Sequence, residues 1–142
     1  MLHERERAIE DLCDGVVAQV ADAMPDADVT CVLRVGNVLR QVAHRGSLRA
    51  IYEFPRHLGG VVWRAVELDA TQIVSDVRRD PDYIAVDTSV RSEVAAPVRA
   101  GETVVAVLNA ESSERELGDA DARTLEAAAE QLGEELSPIY DS

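Results

Sequence analysis

The sequence predicts an α+β domain built around an antiparallel sheet. Three features carry this prediction. Both ends of the chain show apolar residues at helical spacing. Just inside each end lie two β-rich runs joined by a tight turn. Between those two pairs runs a long irregular stretch, left over to cover the sheet. The chain has 142 residues, a one-domain length on the usual scale of ~100–200, so residues 1–142 are read as one domain.

Residues 3–24 read as the first helix. Ile9, Leu12, Cys13, Val16, Val20 and Met24 recur three and four apart, which puts them on one stripe, and Pro25 stops the run. Residues 28–35 are Val-rich and read as a strand. Gly36-Asn37 is a two-residue hairpin turn, because both residue types tolerate positive φ, and a second strand follows to about His44. Leu48 to Phe54 reads as a short helix or an extended piece ended by Pro55. A short helix is expected at Val61–Val66 and a brief strand at Gln72–Ser75. Arg79-Asp80-Pro81-Asp82 is turn chemistry that opens another short helix through Val86. Glu93 to Arg99 reads as a strand in which Pro97 implies an edge, a bulge or a strand end. Thr103 to Asn109 is a strand with an unbroken apolar run, the mark of burial on both faces and hence of a central place. The last helix is expected at 119–137, with Asp119 as its N-cap and Leu125, Ala128, Ala129, Leu132 and Leu136 as its stripe. Residues 28–112 thus supply the sheet and its cover.

The net charge is −13, and all 14 cations are arginine. A cationic footprint on nucleic acid or on an anionic membrane surface is therefore not expected, and lysine-based Schiff-base or P-loop chemistry is excluded. The longest apolar run, Val104 to Leu108, is far too short to span a bilayer. The charged start lacks the apolar core of a signal peptide, so a cytoplasmic location is expected. Cys13 and Cys31 read as buried thiols rather than as a disulfide framework or a metal clip. The charge is uneven. Residues 1–33 carry eight acids and two arginines, 34–99 eight acids and ten arginines, and 100–142 eleven acids and two arginines.

Ser92-Glu93-Val94-Ala95-Ala96-Pro97-Val98, Gly101 and Val104-Val105-Ala106-Val107-Leu108-Asn109-Ala110-Glu111-Ser112 together resemble the last hairpin of a GAF domain. Leu117-x-Asp119-x-Asp121-x-x-x-Leu125 resembles the start of that family's final helix, with Leu117 where Phe is usual. Gly60-Val61-Val62-Trp63-Arg64-Ala65-Val66 resembles its Gly-x-x-Gly-Arg-Ala segment, with Trp63 in place of the second glycine. The resemblance covers roughly residues 5–137. It implies a GAF-like six-stranded antiparallel sheet, with the N- and C-terminal helices on one face and a lid of short helices and loops, from residues 47–91, over a small-molecule pocket on the other. It also implies a sensory module of a bacterial signal-transduction protein, cut from a longer chain. The alternative is a degenerate GAF fold that serves only in dimerisation.

One enzymatic branch of the family, the free methionine-(R)-sulfoxide reductases, is resembled at Ile84-Ala85-Val86-Asp87-x-x-x-x-Ser92-Glu93. That branch has cysteines where Val62 and Val86 stand. Sulfoxide reduction needs one thiol to attack sulfur and another to resolve the sulfenic acid, so no enzyme activity is expected. The carboxylates that grip substrate in that branch fall on Glu93, Asn109 and Glu111, one of which has lost its charge. Glu93 and Asp87 each read either as a structural ion pair, with Arg91 or another arginine, or as a ligand contact. Trp63 reads either as core filler or as a pocket wall. Four of the five aromatics, Tyr52, Phe54, Trp63 and Tyr83, fall in 47–91, which suits a pocket or a satellite core.

The expected ligand-binding residues are Tyr52, Trp63, Arg64, Tyr83, Asp87, Glu93 and Asn109, with no catalytic and no metal-ligating residue. The ligand is expected to be anionic, because Arg49, Arg56, Arg64, Arg78, Arg79 and Arg91 crowd the middle segment and guanidinium matches an oxyanion. No cofactor is assigned. A lone histidine, His57, is usually a plain polar residue rather than a haem ligand, and bilin needs a cysteine that the middle segment lacks. A homodimer through the terminal helices is expected, because Leu2, Val17, Ala21, Leu136 and Ile139 fall beside or off the main stripes.

Overall fold

The computed structural model describes residues 2–48 and 52–141, with side chains from His3 onward. Arg49 and residues 50–51, at the centre of the segment read as helix or extended, lie outside the described residues. Helix α1 (Leu2–Ala23) leads into the hairpin β1 (Asp28–Val35) and β2 (Val38–Arg45). A three-residue strand β3 (Glu53–Pro55), helix α2 (Val61–Leu68) and a second short strand β4 (Gln72–Val74) follow. The hairpin β5 (Ser92–Ala100) and β6 (Thr103–Ser112) and helix α3 (Asp119–Tyr140) complete the chain. The sheet is six-stranded and antiparallel, in the order β3-β2-β1-β6-β5-β4.

The central place expected for residues 103–109 holds, and strand parity shows why their apolar run is unbroken. Leu108, Ala106 and Ala110 point to one core and Val107 to the other, and Val104 joins Val107 because the extra residue Val105 shifts the register of β6. The first core is shared with α1 and α3, and the second with α2 and the residues around it. Pro97 sits inside the paired strand β5, but β4 ends opposite Ala95, so no strand lies on its outer side, and a bulge follows between Val98 and Arg99.

A second bulge, at Val42 in β2, matters more for the site. Val32 pairs with Gln41 and Cys31 with Ala43, so one residue is left over. The extra residue reverses the alternation of β2. Ala43 then joins the helix-side core and Arg45 reaches Asp14 on α1, while Leu39 and Gln41 face the opposite side.

Three expectations need correction. Residues 80–86 form turns rather than a short helix, and the only helical turn nearby, a 3-10 turn, spans Val77–Arg79. The Asp80 carboxylate takes the Asp82 N–H at 2.9 Å and is clamped by Arg64 from α2, so the Asx turn is locked and a helix does not propagate. The N-cap of α3 is Gly118, not Asp119. Asp121, three residues on, accepts the Gly118 N–H at 2.8 Å, and Arg115 holds Asp121 in place through two bonds of 2.7 and 3.0 Å while also gripping Asp26. The same helix continues past 137 to Tyr140, with Pro138 in its final turn.

The surplus apolar stripe behind the expected homodimer is not found among the described residues. Val17 and Leu136 are fully buried, and Ala21 and Ile139 pack against the same core. Because α1 and α3 also pack on each other, a wide arc of each is covered. The exposed large apolar side chains, Val35, Tyr52, Leu58, Leu68 and Ile73, all lie elsewhere. Among the described residues no helix is long and apolar enough to cross a membrane.

Ser92 anchors the return from the sheet to α3. Its hydroxyl donates to the Arg115 carbonyl at 2.8 Å and accepts the buried Leu117 N–H at 2.9 Å. Ser92→Ala leaves both groups without that partner and is expected to cost about 1–3 kcal/mol, read as a fall in the urea midpoint at constant m-value.

Candidate functional site

On the face of the sheet away from α1 and α3 lies a cavity of ≈ 40 Å³. Its floor comes from Thr30 and Val32 on β1, Gln41 on β2, Asn109 and Glu111 on β6 and Glu93 on β5. Its roof is Phe54, the start of α2 from Gly60 to Val62, and Ile84 and Val86 in the loop before β5. Gly60, at φ 100°, is where roof and loop meet. A Cβ there would stand 3.1 Å from Ile84 Cδ1, in a backbone conformation that L side chains rarely adopt.

The floor is polar and acceptor-rich. Glu93 and Glu111 are direct cross-strand partners, and Asp28 is the partner of Glu111 on the other side. Like charges in such register repel. Burial pushes the Glu93 carboxyl well above the usual range, with Glu111 adding to the effect and an Asn109 hydrogen bond opposing it. Glu111 is pushed up to about 7, first by burial and then by Asp28 and Asp87, against a hydrogen bond from Tyr83. Asp28 itself is well served, accepting from the Ser47 and Leu48 N–H groups and bonded to His44 Nε2 at 2.9 Å. Two buried side-chain acceptors have no partner among the described residues, Asn109 Oδ1 and Gln41 Oε1. Asn109 is only 7% exposed.

Of the residues expected from the sequence, Glu93 and Asn109 line the cavity. None of the described ion pairs involves Glu93, so its structural pairing with an arginine is not observed. Tyr83 reaches Glu111, and its hydroxyl is made less acidic by burial and by Glu111, Glu93 and Asp87. Asp87 sits in the roof loop, where it accepts the Ser89 N–H and hydroxyl at 2.9 and 2.6 Å. Three others lie elsewhere. Tyr52 is 71% exposed. Trp63 is core filler, 2% exposed, with Nε1 donating to the Phe54 carbonyl at 2.6 Å and Arg34 and Arg56 over its ring. Arg64 binds Asp80, Asp82 and Gln72, and so fastens the roof loop to α2. His57 is solvent-exposed.

The arginines expected to attract an anion do not line the cavity. Arg56 pairs with Glu67, Arg64 with Asp80 and Asp82, and Arg78 and Arg79 with Asp76. Arg91 is exposed, and Arg49 lies outside the described residues. The sequence reading missed Thr30 and Gln41. Alternation along β1 could have placed Thr30 on the face of Val32, but the bulge in β2 hid Gln41.

Val62 and Val86 both stand in the roof, and Cys13 and Cys31 lie on the far face of the sheet, in the helix-side core. Among the described residues no group of three or more His, Cys, Asp or Glu side chains is placed to hold a metal ion.

A six-stranded antiparallel sheet with a terminal helix pair behind it and a roofed cavity in front defines the class of this α+β domain. The chain belongs to the GAF domain family, whose model matches residues 6–137. It is similar to a free methionine-R-sulfoxide reductase from Neisseria meningitidis solved in complex with its substrate. That likeness has 25% identity and a TM-score of 0.81 over 91% of this chain and 78% of that one. The type II free methionine-R-sulfoxide reductase from Thermoplasma acidophilum shares the fold at 18% identity and a TM-score of 0.82, over 95% and 96% of the two chains. The GAF domain of an Acinetobacter phosphoenolpyruvate-protein phosphotransferase does so at 17% identity and a TM-score of 0.78, over 99% and 94%. No curated protein matches the chain.

Proposed function

We propose that this GAF domain is a non-catalytic sensory module of a cytoplasmic signalling protein, and that it binds a small molecule in the cavity between sheet and roof. The observation that carries the reading is a roofed cavity whose buried acceptors, Asn109 Oδ1 and Gln41 Oε1, have no partner among the described residues. A buried polar group without a partner is costly, and a ligand that supplies the missing donors removes the cost. Lack of turnover is supported by Val62 and Val86, which stand where the resembled reductases have cysteines. The two thiols of this chain are separated from the cavity by the sheet.

The test has two arms. Incubated with free methionine sulfoxide and a thioredoxin system, the protein is expected to give no turnover above a no-protein blank. In a thermal-shift screen of amines, amino acids, nucleotides and carboxylates, a ligand at a hundred times its Kd is expected to stabilise the fold by about 2.7 kcal/mol, a shift of several degrees. Turnover, or a screen in which nothing stabilises the protein, overturns the reading.

A further inference from the structure

We infer that the cavity takes a small planar organic cation with several N–H donors, of the amidinium or guanidinium class, held between Glu93, Glu111, Asn109 and Gln41. The inference rests on the reading of this cavity as a ligand site and names what fills it.

Hydrogen-bond valence comes first. The Asn109 side chain bonds Glu93. A carboxylate only accepts, so it is the amide nitrogen that faces Glu93, and Oδ1 is left pointing elsewhere with nothing to receive. Gln41 Oε1, from the opposite end of the floor, is in the same condition. The unmet capacity of these two amides is therefore for donors. An oxyanion brings only acceptors and leaves these two amide oxygens unpaired.

Charge points the same way. Glu93 and Glu111 stand directly across the β5–β6 ladder, and Asp28 extends the row through β1. No arginine lines the cavity among the described residues. Burial favours the protonated carboxyl at both glutamates, helped at Glu93 by Glu111 and at Glu111 by Asp28 and Asp87, and a bound cation would replace those protons as the compensating charge.

Shape and size select among cations. A cavity of ≈ 40 Å³ has room for on the order of three water-sized groups, which suits a head group and excludes a nucleotide or a tetrapyrrole. An ammonium offers three N–H bonds that diverge from one atom. An amidinium or guanidinium spreads four or more in one plane and can meet carboxylates with parallel pairs of bonds. The acceptors here come from three strands, β2, β6 and β5, with β1 between the first two. A flat donor set spans that floor better than a point charge does.

Calorimetric titration with methylguanidinium, acetamidinium, methylammonium and acetate, at pH 8 and fixed ionic strength, tests the assignment. Methylguanidinium and acetamidinium are expected to bind about tenfold more tightly than methylammonium, and acetate not to bind. Gln41→Ala and Asn109→Ala, which remove the acceptor and add no bulk to the cavity, are each expected to weaken methylguanidinium by about tenfold through loss of one acceptor. Circular dichroism melts identify a variant that fails to fold, and the other variant then carries the comparison. Methylammonium binding as tightly as methylguanidinium, acetate binding in its place, or unchanged affinity in the folded variants overturns the inference. A stabilising compound from the screen that is anionic or uncharged overturns the ligand class and leaves the site reading intact. A protein that nothing stabilises overturns both.

Discussion

Gly133→Ala is expected to destabilise the domain by about 3 kcal/mol, near the upper end for overpacking a close contact. Gly133 lies on the buried face of α3, where the helix crosses Arg99 of β5, beside the bulge at Val105 of β6. A Cβ built there falls well inside van der Waals contact distance of the Arg99 carbonyl oxygen, with the Arg99 carbonyl carbon at 3.2 Å. Both atoms belong to the backbone of a paired strand, so no flexible side-chain end can yield. Either α3 lifts off the sheet, opening the helix-side core, or the bulge deforms. Gly15→Ala is the matching control. Gly15 lies within α1, and the methyl group that alanine adds there meets nothing within 4 Å. This change is expected to raise stability by up to about 1 kcal/mol through helix propensity alone. Urea melts of the two variants should therefore move in opposite directions. Equal shifts would show that α3 does not approach the sheet this closely.

The terminal helices and the two hairpins were legible because each is specified locally. A single stripe, a Pro25 stop and a Gly36-Asn37 turn are all contained in a few residues. What could not be read depends on partners distant in sequence. The turn at residues 80–86 follows from Arg64, sixteen residues upstream, reaching Asp80. Pattern reading at Arg79-Asp80-Pro81-Asp82 registers helix-start chemistry but not the clamp that arrests it. The site divides in the same way. Glu93 and Asn109, which the resemblance to the GAF hairpin singled out, do reach the cavity. Gln41 required knowledge of a bulge that no local residue announces. Aromatic density near the pocket placed Tyr52 and Trp63 in the right region but gave no side, and one faces solvent while the other fills the core. The arginine-rich middle was the least reliable guide. A block charge averages over pairs such as Arg99 with Asp69 and Arg45 with Asp14, which neutralise neighbours rather than recruit a ligand.

Glu111→Gln is expected to stabilise the protein at pH 8 and leave it nearly unchanged at pH 5. The Glu111 carboxyl is raised from 4.5 to about 7, with burial as the main cause and Asp28 and Asp87 as further ones. The folded chain therefore holds a proton there that the unfolded chain releases. The stabilising effect of that proton is complete below pH 4.5 and is lost as pH rises through 7. The difference between those limits is on the order of 3 kcal/mol. Glutamine keeps the shape and cannot ionise, so its melts should lack this descent between pH 5 and 8. Any slope that remains belongs to Glu93, raised by the same burial, and Glu93→Gln in combination should flatten it. A His44→Gln background separates Glu111 from the imidazole bonded to Asp28. The window also avoids Asp14, Asp76, Asp80 and Asp121, whose carboxyls are lowered by arginine partners and whose contribution is lost only on further acidification. The same proton opposes a cation, so methylguanidinium affinity in the wild type should rise with pH, by up to about tenfold per unit below 7. In Glu111→Gln that rise should disappear together with most of the binding. A variant less stable than wild type at pH 8 would mean that Glu111 is ionised at little cost in the empty cavity. A more stable variant that has lost its ligand is what a carboxylate retained for binding, at the expense of the fold, should give.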